Sequence, residues 1–476
     1  MRNITVSDIV KATGGRLLLG DGSQEIEHIS LDSRTMRGSD LFVPIIGERV
    51  DAHRFLCQAM QAGAAAVFTS RHKSRQEAEA AIEEQAGKSG DAAEAARKAA
   101  WIQVEDTKAA LQAFGSFLRS RITIPLVGVT GSVGKTTTRE MVAAALSAGF
   151  TVYKTPGNSN SQVGVPITLS EIPEEAGIGV IELGMSEQGE MTRIAGIARV
   201  DCAVMTNIGV SHIEQLGSQE NILKEKLHIQ DGMREDGCLF LNGDDPLLCK
   251  VTPEGGRRAC FYGMGENCDF RGENLHLENG YPVFTAVHGG ESAQVRLKVM
   301  GSHMVSNALA ALAVAANYGI PMEKAAKALE SFEGYKGRQQ IFEHKGIRVI
   351  DDSYNASPVS MKAGLEVLRA AGEGRRKVAV LGDMKELGPE APRFHREIGA
   401  YIAGHPIDCV VLLGELSCEI GKGIKEKAAG CGITYCGSLD EVKEWLDENI
   451  KEGDCILFKG SNSMGLSKAV AYLKEK

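Results

Sequence analysis

The run Gly128-Val129-Thr130-Gly131-Ser132-Val133-Gly134-Lys135-Thr136-Thr137 carries the sharpest chemical signal in this sequence. It lies between an apolar stretch, Leu126 to Val129, and a segment with Met141, Val142 and Leu146 at helical spacing. A glycine-rich turn between a strand and a helix aims successive backbone N–H groups at phosphate oxygens, where the helix N-terminus also favours negative charge. A lysine at this spacing reaches the β- and γ-phosphates, and the hydroxyl of Thr136 is placed to ligate Mg²⁺. The expectation is an ATP-type phosphate site built from Thr130, Gly131, Ser132, Val133, Gly134, Lys135, Thr136 and Thr137. The run departs from strict G-x-x-x-x-G-K-[ST] because Val129 stands where the first glycine belongs. A turn with a chance Gly-Lys-Thr is the plainer alternative, and the strand before and helix after weigh against it.

Three further features are weaker alone. Glu182 directly follows the apolar Ile178 to Ile181 and precedes Leu183-Gly184-Met185, which puts a carboxylate at the carboxyl edge of a sheet, where open α/β folds bind ligands. A solvated strand-end glutamate is the ordinary reading, but beside a phosphate loop Mg²⁺ ligation is the better one. His212 also follows a strand end, Cys202 to Thr206 with Asn207-Ile208-Gly209, and Lys226 falls on an expected helix, Asn221 to Ile229, whose plain reading is a solvated face. The stretch Thr155 to Pro166 is dense in amide side chains, including Asn158 and Asn160, as ordinary turns also are.

Positioning these residues requires a large α/β chain. At 476 residues the length corresponds to about three domains of ordinary size. Hydrophobic residues are 43% and charged residues 24%, enough to build a core in each. The 53 basic and 62 acidic side chains give a net charge of −9, which repels phosphate backbones and anionic lipid and argues against nucleic acid as a partner. Met1-Arg2-Asn3-Ile4-Thr5 has no apolar signal region, and no stretch approaches the ~18–20 apolar residues of a membrane span, so a soluble cytoplasmic chain without stable membrane insertion is expected. The 11 cysteines contain no C-x-x-C and read as reduced thiols rather than a zinc site.

Mixed strands and helices are expected up to Ile122. Between Arg71 and Ala100 lies an Ala/Glu-rich excursion with balanced charge, read as an exposed helical or mobile segment without chemistry. Pro125 opens the phosphate-loop region. Asn279-Gly280 between Leu275 to Glu278 and Tyr281 to Val287 predicts a hairpin within a small antiparallel insertion. After Gly334, strands at Ile347, Lys377, Cys409 and Cys455 alternate with helical segments, a parallel Rossmann-like sheet without G-x-G-x-x-G.

Taken together, the phosphate loop, Gly157-Asn158-Ser159-Asn160 with Gly164-Val165-Pro166, Ile181-Glu182-Leu183-Gly184-Met185, Asn207-Ile208-Gly209 with His212, Lys226, Gly301-Ser302-His303 with Asn307, Asp351-Asp352-Ser353-Tyr354-Asn355-Ala356 and Leu381-Gly382-Asp383-Met384 resemble the Mur ligases of peptidoglycan synthesis. The matching positions run from about Asp32 to Met464. The resemblance implies a three-domain α/β architecture: a uridine-side domain over 1–122 with the 71–100 excursion, a central ATP-binding P-loop domain with a parallel sheet over 123–333, and a Rossmann-like closing domain over 334–476. It implies a monomeric, ATP-dependent ligase that joins D-alanyl-D-alanine to UDP-N-acetylmuramoyl-tripeptide through an acyl phosphate. Ser33 and Arg34, with Asn158 and Asn160, would serve the UDP-linked substrate, and Tyr354 with Asn355 the dipeptide. Asn307 would meet adenine, with Arg338 and Asp352 closing over ATP. Lys135, Glu182, His212 and Lys226 would form the catalytic set, and two Mg²⁺ would be held by Thr136, Glu182, His212 and Lys226, a lysine often carbamylated in this family.

Two positions depart from the family pattern: Ser357 stands where asparagine is usual, and Asn462 where arginine is usual. One alternative is a sister ligase adding a single amino acid to the dipeptide precursor, disfavoured by Asp351 to Asn355 and by the lack of an Asp-Asn-Pro-Arg stretch. Another is a nucleotide-switched regulatory protein, but the chain has no Asn-Lys-x-Asp guanine signature.

Overall fold

Short apolar runs alternating with amphipathic helices produce three sheets in succession. The computed structural model describes residues 1, 3–87, 89–427 and 430–476. Arg2 of the N-terminal run and Lys88 of the 71–100 excursion lie outside them. The first sheet has the order Arg16–Leu19, Ala100–Gln103, Ala64–Thr69, Asp40–Phe42, His28–Ser30, and only the first pairing is antiparallel.

The excursion is helical but not a detached segment. Helices Arg75–Ala86 and Gly90–Lys98 turn Ala78, Ala81, Ile82 and Ala96 into a core with Leu56, Met60, Val67 and Trp101. The expected helices form and most of their outer positions are exposed, but the segment is not loose, because its small buried side chains allow the helices to pack closely, a contribution that low mean hydropathy conceals.

The second sheet has nine strands in the order Glu291–Arg296, Tyr281–His288, Phe270–Glu278, Arg258–Gly263, Cys238–Asn242, Cys202–Met205, Leu126–Thr130, Ile178–Glu182, Val152–Lys154. Leu126–Thr130, Ile178–Glu182 and Cys202–Met205 are buried throughout, as parallel strands covered on both faces must be. Helices Lys135–Leu146 and Met304–Asn317 pack on one face, and Glu190–Ala198 with Gln219–Leu227 on the other. The expected antiparallel insertion is instead the far end of this sheet, since Arg258–Gly263 pairs parallel to Phe270–Glu278 before the hairpin turns back. Asn279 and Gly280 both have positive φ, 54° and 86°, the geometry that makes Asn-Gly a strong two-residue turn.

The third sheet has the order Gln340–His344, Ile347–Asp351, Asp454–Lys459, Arg376–Gly382, Cys409–Leu413, Gly432–Cys436, parallel except at Gln340–His344. Ser357 explains its own presence: it caps helix Pro358–Ala371 in a reciprocal arrangement with Ser360. Met300, Val210 and Tyr281, which belong to the second sheet's region, pack against the third sheet's core. On the other side, Val163 and Ile167 pack on the first sheet's core, and Gln112 donates to Gln162 at 3.2 Å.

Candidate active site

The phosphate loop is held open by its neighbours. Ser132 and Val133 donate their N–H groups to the carbonyl and side-chain oxygens of Asn207, at 3.0 and 2.9 Å. Gly131 lies at φ +144°, and a Cβ there would overlap the Thr206 hydroxyl, so glycine is required. Gly134, at φ +84°, starts helix Lys135–Leu146. The Lys135 ammonium donates to the Gly131 carbonyl at 2.9 Å. Burial and the nearby Arg338 guanidinium lower its pKa, and Glu182 opposes the shift. Thr130 Oγ1 and Ser132 Oγ are buried without hydrogen-bond partners.

Glu182 is the last residue of its strand and only 1% exposed. Its Oε2 accepts from the Thr136 hydroxyl at 3.0 Å and from Arg139 at 3.1 Å, and its Oε1 accepts from Asn160 Nδ2 at 2.7 Å. One buried carboxylate therefore gathers the phosphate loop and the amide-rich loop. Asn158 is exposed one turn earlier. Arg139 carries no motif label in the sequence. The signal that would have found it is a charged pair, Arg139-Glu140, followed by the wholly apolar Met141 to Leu146 of the same helix.

Lys226 overturns its plain reading as a solvated residue. It is 1% exposed, and among the described residues its Nζ has no hydrogen-bond partner. Burial pushes its pKa well down, Lys135 adds repulsion and Glu225 opposes. Glu225 itself faces the start of helix Glu190–Ala198, accepting from Gly189 and Met191 N–H at 2.9 Å each. His212, at φ +63°, sits 2.6 Å from Glu386 of the third sheet's region. That contact is an ion-pair approach, and among the described residues Nδ1 makes no hydrogen bond of good geometry. The expectation paired His212 with Lys226 alone and missed Glu386, which lies too far along the chain for any spacing argument.

A cleft opens from the phosphate loop toward the third sheet. It is lined by Ser132 to Thr137 and Asn307 on one side and by Arg338, Asp352, Asn355 and Lys459 on the other. Asn307 Oδ1 accepts from the Thr138 hydroxyl at 3.0 Å, directly above Gly134. The Arg338 guanidinium lies over the Tyr354 ring, 4.0 Å from its centroid. Asp352 is buried and accepts from the Lys459 ammonium at 2.6 Å. Burial raises the Asp352 pKa, with Lys459 and Arg338 opposing. Ser33 is buried, while Arg34 is exposed and paired with Asp32 at 2.6 Å, holding that carboxyl down at about 2. Ser33, Arg34, Asn158, Asn160, Glu182, His212, Lys226 and Tyr354 are not among the residues that line this cleft, and Asn462 is exposed on a short turn.

The hydroxyl of Thr136 and the carboxylate of Glu182 form a hard-oxygen pair suited to Mg²⁺. Lys226 is a buried amine with no acceptor, an environment that favours the neutral, CO₂-reactive form and fits a carbamate.

Three family patterns match the chain in order: the Mur ligase family catalytic domain over residues 25–118, the Mur ligase middle domain over 129–315, and the Mur ligase glutamate ligase domain over 337–462. UDP-N-acetylmuramoyl-tripeptide--D-alanyl-D-alanine ligase of Bacillus subtilis is 35% identical over 473 residues, covering 99% of this chain and 98% of that protein. The ligase of the same name in Escherichia coli is 31% identical, covering 100% and 99%. Among solved structures, MurF from Acinetobacter baumannii aligns with a TM-score of 0.85 at 28% identity, covering 99% of both chains. MurF ligase from Thermotoga maritima in complex with ADP aligns at 0.77 and 27% identity, covering 94% of this chain and 97% of that one.

Proposed function

The chain belongs to the Mur ligase family, and from that premise we propose that it joins D-alanyl-D-alanine to UDP-N-acetylmuramoyl-tripeptide with cleavage of ATP to ADP and phosphate. The observation that carries this reading is the cleft in which a phosphate loop faces Arg338 and Asp352, in a chain that matches ligases of that name end to end. Three units are proposed, 1–122 for the uridine side, 123–333 for ATP and 334–476 for closure and the dipeptide. A monomer is proposed as well. The reaction's place is the cytoplasm, in keeping with the finding that among the described residues no helix is long and apolar enough to cross a membrane.

In the first step the terminal carboxylate of the tripeptide attacks the γ-phosphorus and ADP leaves. In the second the dipeptide amine attacks the acyl carbon and phosphate leaves. Loop N–H groups and Lys135 hold the phosphates, with Lys135 exchanging the Gly131 carbonyl for a phosphate oxygen. Thr136 and Glu182 would hold one Mg²⁺, and His212 with a carbamylated Lys226 a second; bound there, Mg²⁺ offsets the charge of the phosphates and of the phosphoryl-transfer transition state. Carbamylation adds CO₂ to the neutral amine and releases one proton, converting a buried cation into an anionic oxygen donor. Asn160 orients Glu182 and faces the acceptor carboxylate, with Asn158 beside it, while Ser33 and Arg34 address the UDP end. Asn307, Arg338 and Asp352 close on the nucleotide. Closure excludes water from the hydrolysable acyl phosphate. Tyr354 and Asn355 meet the dipeptide.

Phosphate release measured with UDP-N-acetylmuramoyl-tripeptide plus D-alanyl-D-alanine, against the dipeptide precursor plus free amino acids, tests the reading. Turnover confined to the second mixture would assign the chain to a sister ligase.

A further inference from the structure

Arg139 uses its guanidinium in two directions. Along its edges, Nη1 donates to Glu182 Oε2 at 3.1 Å and to the Gly157 carbonyl at 2.8 Å, while Nε and Nη2 donate to Glu140 Oε1 at 3.2 and 2.6 Å. Its Cζ lies over the ring of Tyr335, 5.4 Å from the centroid. Tyr335 lies in the linker that leads into the third sheet, and its carbonyl accepts from the Arg338 N–H at 2.9 Å across a tight turn at Gly337, φ +71°. Arg338 in turn covers Tyr354. Glu182, Arg139, Tyr335, Arg338 and Tyr354 thus form a continuous series of contacts from the phosphate loop to the opposite wall of the cleft. Neutralising Glu140 and Glu182 requires only the guanidinium edges. The cation–π contact with Tyr335 is an additional one, made to a residue whose backbone positions Arg338.

We propose that Arg139 is a positioning residue that couples the linker's conformation to the orientation of Glu182. When the linker moves Arg338 over the nucleotide, Tyr335 seats the guanidinium, and the guanidinium fixes the Glu182 oxygen shared with Thr136 together with the Gly157 loop. The proposal rests on the ligase reading for its kinetic consequence, and its structural consequence can be read without turnover.

The test compares wild type, Tyr335→Leu, Tyr335→Phe, Arg139→Lys and the Arg139→Lys/Tyr335→Leu double variant. Tyr335 is only half-buried, so its variants keep the fold even if Arg139→Lys weakens it. Tyr335→Leu is expected to lower kcat about three- to tenfold, the scale of a partly desolvated cation–π contact, with an unchanged melting temperature. Tyr335→Phe keeps the ring and should keep kcat. The double variant should be within about twofold of Arg139→Lys, because coupled contacts are not additive. Independently, hydrogen exchange over residues 333–338 should slow when a non-hydrolysable ATP analogue binds wild type or Tyr335→Phe, and not when it binds Tyr335→Leu. Wild-type kcat in Tyr335→Leu, equal losses in the Leu and Phe variants, additive effects, or equal slowing of linker exchange in Tyr335→Leu would overturn the coupling. Wild-type protein that releases no phosphate with D-alanyl-D-alanine would instead refute the ligase reading and leave the exchange comparison to decide the coupling.

Discussion

Glu182 concentrates the chemistry of this protein, because one buried carboxylate accepts from Thr136, Asn160 and Arg139 together. Lys135 and Glu182 were legible in the sequence since Lys135 opens a helix and Glu182 ends a strand, each inside a contiguous motif. The Arg139 contact to Tyr335 and the His212 contact to Glu386 join residues 196 and 174 positions apart, and no local pattern encodes such a pair. Lys135→Ala is expected to abolish phosphoryl transfer while leaving circular dichroism and melting temperature unchanged, since the ammonium's protein partner is a single loop carbonyl; full phosphate release by that variant would exclude the loop from catalysis. Lys226 makes a sharper case. A buried amine without an acceptor is expected to give a carbamate carbon signal by NMR in ¹³C-bicarbonate, absent from Lys226→Ala. That variant should also lose at least about tenfold in turnover, the scale seen when a metal site loses a supporting group. An identical spectrum from the variant would show that Lys226 stays a free amine.

Elements with both faces covered were the easiest to read: Leu126–Thr130, Ile178–Glu182, Cys202–Met205 and Cys409–Leu413 announce themselves as unbroken apolar runs. Edge strands such as Val152–Lys154, Gln340–His344 and Gly432–Cys436 have mixed burial and left no comparable pattern. Helix Arg75–Ala86 was misjudged because its buried face is mostly alanine. Ile82 is fully buried there, so Ile82→Ala is expected to cost about 2–4 kcal/mol in urea unfolding, from lost burial plus cavity, with KM for ATP unchanged; a cost near zero would restore the idea of a loose excursion. The loop after Arg376–Gly382 supplies a pH signature. His395 is buried, accepts the Met384 N–H at Nε2 at 3.0 Å, and faces the Ala391 carbonyl with Nδ1. Burial lowers its pKa from 6.5, as it does for His303 and His72. Below pH 6.5 the unfolded chain binds protons that the folded chain still refuses, so stability falls as pH drops through that window and is level above it. Melting temperatures at pH 7.5 and 5.5 should differ less in His395→Gln than in wild type, and an equal difference would remove His395 from the account.

At the scale of the whole molecule, three sheets are joined so that the middle one offers the phosphate loop and the third supplies the opposite wall of the cleft. A net charge of −9 does not attract the polyanionic reactants proposed here, so affinity has to come from local donors, namely the loop N–H groups, Lys135, Arg338 and bound cations. Three units suit three reactants, and the contacts of Val210, Met300 and Tyr281 with the third core give closure a surface on which to seat. This architecture is proposed to couple ATP cleavage to amide formation with a dipeptide acceptor. The most direct test of this coupling is phosphate release by the purified chain with ATP, Mg²⁺ and UDP-N-acetylmuramoyl-tripeptide, measured with and without D-alanyl-D-alanine and paired with mass analysis of the product. Phosphate release is expected to require the dipeptide and to yield UDP-N-acetylmuramoyl-pentapeptide in equal amount. ATP hydrolysis indifferent to any amine acceptor, with no pentapeptide formed, would contradict it.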